Sequence, residues 1–196
     1  MEQRAGDVLT LYYWVPGDDC WGHIALTLSD GTHISWWPST PVGAKKANKD
    51  LPGLVPVALF TEWVAANSNQ TLQKDIEYEG KAPAVLSIPR GLDEAKIKAW
   101  WTKFSLSEKY NAARQNCSTV VYIALTKGGA LNFVDNPGHW WWDPDRTFQF
   151  AKVMKQAMIA KKKGQIQFGA LSQALQQARV NADTSAKKYG IHPALG

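Results

Sequence analysis

Two short stretches carry the side chains whose types and spacing suit a reaction. Asn116-Cys117-Ser118-Thr119-Val120-Val121 sets a cysteine at the head of an apolar run, and Gly22-His23-Ile24-Ala25-Leu26 sets a histidine at the head of an alternating one. A thiol at a helix N-terminus is favoured as thiolate, because unpaired backbone N–H groups and the helix dipole stabilise the anion. The same N–H groups can hold the oxyanion formed when a carbonyl is attacked. An imidazole within reach takes the thiol proton and later gives one to the leaving group, and a third polar group fixes its orientation. This is acyl transfer through a thioester. Taken alone, Cys117 suits a buried structural thiol equally well, and a lone histidine such as His23 is more often structural.

The elements needed to position these groups are legible in outline. Residues 7–14 read as a strand, 22–28 as a second strand and 33–37 as a third. Ser29-Asp30-Gly31-Thr32 supplies turn chemistry between the last two. Residues 39–53 read as a long loop and 67–79 as polar connection. Residues 84–88 form another strand, and 92–104 a helix with Ile97, Trp100, Trp101 and Phe104 at helical spacing. A buried helix starts near Cys117 and stops at Gly128-Gly129. Asp145 is the expected N-cap of a helix to about residue 160, and a further helix spans 168–188. The fold class expected is α+β, with an antiparallel sheet packed on the nucleophile helix. Residues 1–130 make the catalytic core, and residues 131–196 an aromatic loop and helical extension of the same domain.

Composition narrows the class. The chain has 196 residues, 45% hydrophobic and 20% charged, with a formal charge of +5, as in one globular domain. No run approaches the roughly 20 apolar residues of a membrane-spanning helix. The N-terminus lacks a signal pattern, so a role outside the producing cell calls for another export route. The only cysteines, Cys20 and Cys117, make neither a disulfide framework nor a four-ligand zinc site. Neither metal nor organic cofactor is expected. Lys152, Lys155, Lys161, Lys162, Lys163, Lys187 and Lys188 form either a solvated helix face or an attraction to an anionic surface. They lack the interleaved aromatics of a nucleic-acid platform, so no nucleic acid is expected. Ten tryptophans include Trp36-Trp37, Trp100-Trp101 and Trp140-Trp141-Trp142. Trp36, Trp37, Trp140, Trp141 and Trp142 are the expected substrate or membrane contacts.

The segment from Gly22 to Ser35 resembles the histidine hairpin of the NlpC/P60 papain-like superfamily, and Asn116 to Val121 its nucleophile helix. Here His23 precedes Cys117, the reverse of ordinary members. That order is similar to the circularly permuted branch, which includes lecithin:retinol acyltransferase-like proteins. Tyr110 and Asn116 match that branch's tyrosine seven residues before the cysteine and its asparagine directly before it. The hairpin ending Ile34-Ser35-Trp36-Trp37-Pro38 is also similar to NlpC/P60-like antibacterial toxins of type VI secretion. The resemblance covers about residues 5–128. It implies Cys117 as nucleophile and His23 as general base and acid. Ser35 aligns with the orienting residue, often histidine in the family; His33, on the same strand face, is the chemically better orienter. Tyr110 lines the site or helps hold the oxyanion, unless it is a core aromatic.

Three functions follow as expectations. The first is a cysteine acyl hydrolase of membrane phospholipid, of phospholipase type, suggested by the permuted order, the tryptophans and the lysines. The second is a peptidoglycan amidase or endopeptidase using the same dyad. The third is a non-catalytic binding module. The resemblance further implies a cognate immunity protein, secretion machinery and action in the envelope or periplasm of a target cell.

Overall fold

The computed structural model describes residues 8–17, 22–39, 62–139 and 141–162. The architecture is mixed α+β, with antiparallel sheets and four helices among the described residues. Strand β1 (Leu9–Trp14) pairs on one side with β2 (His23–Thr27) and on the other with β6 (Ala84–Ile88). The short β3 (His33–Ile34) adds beyond β2. A second sheet joins β4 (Trp37–Pro38), β5 (Val64–Asn67) and β7 (Lys109–Tyr110). The strand expected over 33–37 is therefore broken. His33 and Ile34 close the hairpin, while Trp37 and Pro38 leave it for the other sheet.

Four helices complete the described chain: α1 (Leu72–Glu79), α2 (Glu94–Ser107), α3 (Cys117–Lys127) and α4 (Pro144–Lys162). Helix α3 packs on β2, with α2 and α4 against it. That setting explains its nearly unbroken apolar sequence: Val120, Val121, Ala124 and Leu125 are all buried, alongside Ile24, Leu26, Ile34, Ile97 and Met154. Asn116 caps the helix by accepting the Thr119 amide at 2.9 Å. Gly128 closes it onto the Ala124 carbonyl, and Gly129 turns the chain with a φ of 92°.

Two local readings are corrected. Residues 67–79 are not mere connection: Thr71 caps α1 by accepting the Lys74 amide, and Gly80 ends it at a φ of 67°. The apolar face of α1 is too thin to show a helical period. The cap of α4 is Asp143, whose Oδ1 accepts the Arg146 amide at 2.7 Å, and Pro144 takes the first helical position. Asp145 instead receives the Tyr13 hydroxyl from β1. The helix expected over 168–188 lies outside the described residues.

One glycine is demanded by close approach. Gly22 enters β2 with a φ of 71°, and a Cβ there would sit 2.4 Å from the Trp14 carbonyl oxygen and 2.8 Å from the Pro16 nitrogen. Gly22→Ala therefore combines left-handed strain with a backbone clash next to His23 and is expected to cost about 1–3 kcal/mol. Denaturant unfolding midpoints check this; a variant within about 0.5 kcal/mol of wild type would show that the entry to β2 relaxes freely.

Candidate active site

His23 opens β2 opposite Trp14 and is 1% exposed. Its ring lies between two indoles, with Trp37 stacked at 4.2 Å and Trp14 tilted at 5.5 Å between centroids. Nε2 is 2.9 Å from Ser35 Oγ and 3.7 Å from Asp75 Oδ2. The second contact is an ion pair rather than a hydrogen bond, so Ser35 carries the link: its hydroxyl accepts from His23 and donates to Asp75 Oδ1 at 3.0 Å. Nε2 is engaged there, and the charge of Cys117 also acts on the ring.

Asp75 comes from α1 and is fully buried. Besides Ser35, its Oδ1 accepts Trp37 Nε1 at 2.9 Å, and its Oδ2 accepts His33 Nε2 at 2.9 Å. Thr27 Oγ1 meets the other nitrogen of His33 at 2.8 Å. Burial alone would raise the Asp75 pKa. The contacts of His23 and His33, the His23 charge and the Trp37 indole outweigh it and hold the carboxyl well below the usual carboxylate range. For His23 too the largest effect is burial, which opposes the charge. The Cys117 thiolate, followed by Asp75, overcomes it and raises the imidazole to about 10. The imidazole is thereby favoured as imidazolium.

Cys117 is the first residue of α3, 8% exposed and a free thiol. The amides of Cys117 and Ser118 have no intrahelical acceptor and, unlike the capped Thr119 amide, are available to an oxyanion. Cys117 borders a cleft of about 460 Å3, its open mouth included, shared with Tyr110, Asn116, Trp141, Asp143 and Asp145. Burial and the neighbouring Cys117 charge raise the Tyr110 pKa, so its hydroxyl stays a donor. Asn116 Nδ2 donates to the Ala112 and Trp142 carbonyls, each at 2.8 Å, tying the aromatic segment to the head of α3. Burial pushes Asp143 up to about 6 against the pull of Arg146.

The structure thus brings together His23, Ser35, His33 and Cys117, with Tyr110 and Asn116 beside the thiol. Sequence reasoning missed Asp75. The cap pattern of Thr71 and Gly80 could have found the helix, but nothing in the sequence distinguishes Asp75 from Glu77 and Glu79 on it. The tryptophans depart from expectation. Trp36, Trp141 and Trp142 are 1%, 2% and 4% exposed. Trp36 packs on Trp101 and Phe104, and Trp142 stacks on Tyr122, so they are core residues rather than surface contacts. Of these, Trp141 alone borders the cleft. Trp37 is half-buried and braces His23 and Asp75. Trp140, Cys20 and His192 lie outside the described residues, and His139 packs on Trp142. Among the described residues no group of three or more His, Cys, Asp or Glu is arranged to hold a metal ion.

A family model described as the IcsB middle domain matches residues 69–185. The matched span holds Asp75, Tyr110, Asn116 and Cys117, while His23 lies before it. No curated protein and no solved structure matches the chain.

Because the Cys117 charge is the largest influence raising His23, Cys117→Ser is expected to lower the His23 titration midpoint from about 10. Asp75→Asn should lower it as well. The imidazole resonances followed by NMR across pH report both; an unmoved midpoint in Cys117→Ser would mean that thiol and imidazole do not interact. A folded pKa above the unfolded value of about 6.5 makes this contribution to stability complete below that pH. It is lost as the pH rises toward the folded midpoint.

Proposed function

The chain belongs to the IcsB middle-domain family, and with that as premise we propose that it is a secreted bacterial effector carrying a cysteine acyl hydrolase. The observation that supports this reading best is the setting of His23. The imidazole feels the charge of Cys117, a free thiol at a helix N-terminus, and is linked through Ser35 to a buried carboxylate. We read Cys117 as nucleophile, His23 as general base and acid, and Asp75 as orienter through Ser35. We also read the arrangement as the permuted papain-like fold of NlpC/P60 hydrolases, on the order His23 before Cys117.

The chemistry balances with these groups alone. The Cys117 thiolate attacks the acyl carbonyl and a C–S bond forms. The oxyanion is held by the first amides of α3, with Tyr110 as a further donor. The His23 imidazolium gives its proton to the leaving alcohol as the C–O bond breaks. Water then enters, His23 takes its proton, and hydroxide attacks the thioester carbonyl. The carboxylic acid departs as the C–S bond breaks and the thiolate is restored. Asp75, through Ser35, keeps the ring oriented in both steps.

The substrate we infer is an ester of membrane phospholipid in a target cell envelope. The permuted order favours it, as do Lys152, Lys155, Lys161 and Lys162 along α4, which suit an anionic surface. No described helix is long and apolar enough to cross a membrane. An immunity protein in the producing cell and a secretion machinery are the partners this reading implies.

Purified protein under reducing conditions is expected to release fatty acid and lysolipid from phospholipid vesicles. Cys117→Ala and His23→Ala should abolish release, and Asp75→Asn should lower kcat by about a thousandfold or more. An amide in peptidoglycan would call on the same residues, so muropeptides of digested sacculi are measured alongside. Altered muropeptides with intact lipids would move the substrate to peptidoglycan. Toxicity that survives Cys117→Ala would replace the hydrolase with a binding module.

A further inference from the structure

The body of the protein and its cleft carry opposite charge. The chain has 22 Lys and Arg against 17 Asp and Glu. Beside Cys117, however, the wall includes Asp143 and Asp145 and, among the described residues, no lysine or arginine. Asp145 is engaged by the Tyr13 hydroxyl. Asp143 is less completely served. It is 4% exposed, and its Oδ1 caps α4. Its Oδ2 has no hydrogen-bond donor.

The nearest cation is Arg146, whose Nε lies 3.4 Å from Asp143 Oδ2 as an ion pair without hydrogen-bond alignment. Arg146 is itself held on Trp141: Nη1 donates to the Trp141 carbonyl at 2.8 Å, and the guanidinium lies 5.3 Å from the indole centroid. It does not border the cleft. A buried carboxylate oxygen without a donor carries a desolvation cost that an incoming N–H or O–H would relieve, whereas a second anion would deepen it.

We propose that Asp143 is a specificity-determining residue, which makes the cleft favour an ammonium over an uncharged group, and either over an anionic one. This rests on Cys117 being the nucleophile of the hydrolase described above. Among envelope lipids, which share the phosphate anion, the cleft selects the ethanolamine headgroup, which adds an ammonium, over the glycerol headgroup, which adds only uncharged hydroxyls and leaves the lipid anionic. The lysine-rich α4 attracts anionic surfaces, so the surface that gathers the protein and the headgroup that it cleaves are different chemical classes.

Two measurements test this. The first needs no turnover: Cys117 is alkylated with uncharged iodoacetamide and anionic iodoacetate, and the modified Cys117 peptide is quantified by mass spectrometry. The iodoacetate-to-iodoacetamide rate ratio is expected to rise at least fivefold in Asp143→Asn, which keeps the helix cap. Asn leaves the Arg146 charge unopposed, so the double variant Asp143→Asn/Arg146→Met is run beside it and should raise the ratio in the same direction. An unchanged ratio in the folded double variant overturns the proposal.

The second measurement uses vesicles of phosphatidylethanolamine and phosphatidylglycerol in equal parts, so both lipids meet the same surface. Wild type should form lysophosphatidylethanolamine at least tenfold faster than lysophosphatidylglycerol, and the double variant should bring the two rates together. Equal rates in wild type overturn the proposal. Absence of either lysolipid, with an alkylation ratio that still answers to Asp143, removes the hydrolase and supports the charge selection.

Discussion

The buried carboxylate of Asp75 is the constraint on which the site depends. Removing a carboxylate from water costs several kcal/mol, about the scale at which a fold fails unless donors replace the lost hydration. Here they do. Ser35, Trp37 and His33 supply hydrogen bonds, and His23 supplies charge. Asp75 is the one buried residue of α1, so this helix is held to the sheets by polar contact rather than by an apolar face. Loss of the carboxylate would release both the orientation of His23 and the docking of α1, whereas loss of a surface ion pair such as Lys96–Asp93 releases almost nothing.

Cys117 is held by the opposite means. Helix α3 lies between β2, α2 and α4, and its apolar residues fill the common core. Close packing on three sides leaves its N-terminus little freedom to shift. Asn116 adds a polar tether at that end, capping the helix and gripping the Trp142 carbonyl. Cys117 is therefore fixed by apolar packing and the carboxylate of Asp75 by hydrogen bonds. His23, on the shared strand, is the point where the two systems meet.

This division explains what the sequence disclosed. Helix α3 announced itself through Val120, Val121, Ala124 and Leu125, and the β2–β3 hairpin through alternation and Asp30-Gly31, because apolar period and turn chemistry are local signals. The position of Cys117 at a helix start and of His23 at a strand start followed from them. Asp75 gave no such signal: a helix docked by one carboxylate has no apolar stripe to read. The tryptophans misled for a related reason. Adjacent indoles at Trp141 and Trp142 look too bulky for one core. The chain places them on separate partners, Arg146 for one and Tyr122 with Phe150 for the other. Ser35 looked too weak to orient an imidazole. Here it links the ring to a carboxylate that comes from a distant part of the chain.

The family match begins at residue 69 and so contains Asp75 and Cys117 but not His23. What binds the earlier hairpin to the matched part is β1. Leu11 stands opposite Leu26 of β2 and also opposite Leu86 of β6, which lies inside the match. Both ladders are antiparallel, and β2 is buried along most of its length. A slip of one residue in either would invert the faces of β2 and carry His23 away from both partners. The register of three strands is thus as much a part of the site as its side chains. The buried Leu11, Ile24 and Leu26 that hold that register, none of which touches the cleft, determine whether thiol, imidazole and carboxylate meet at all.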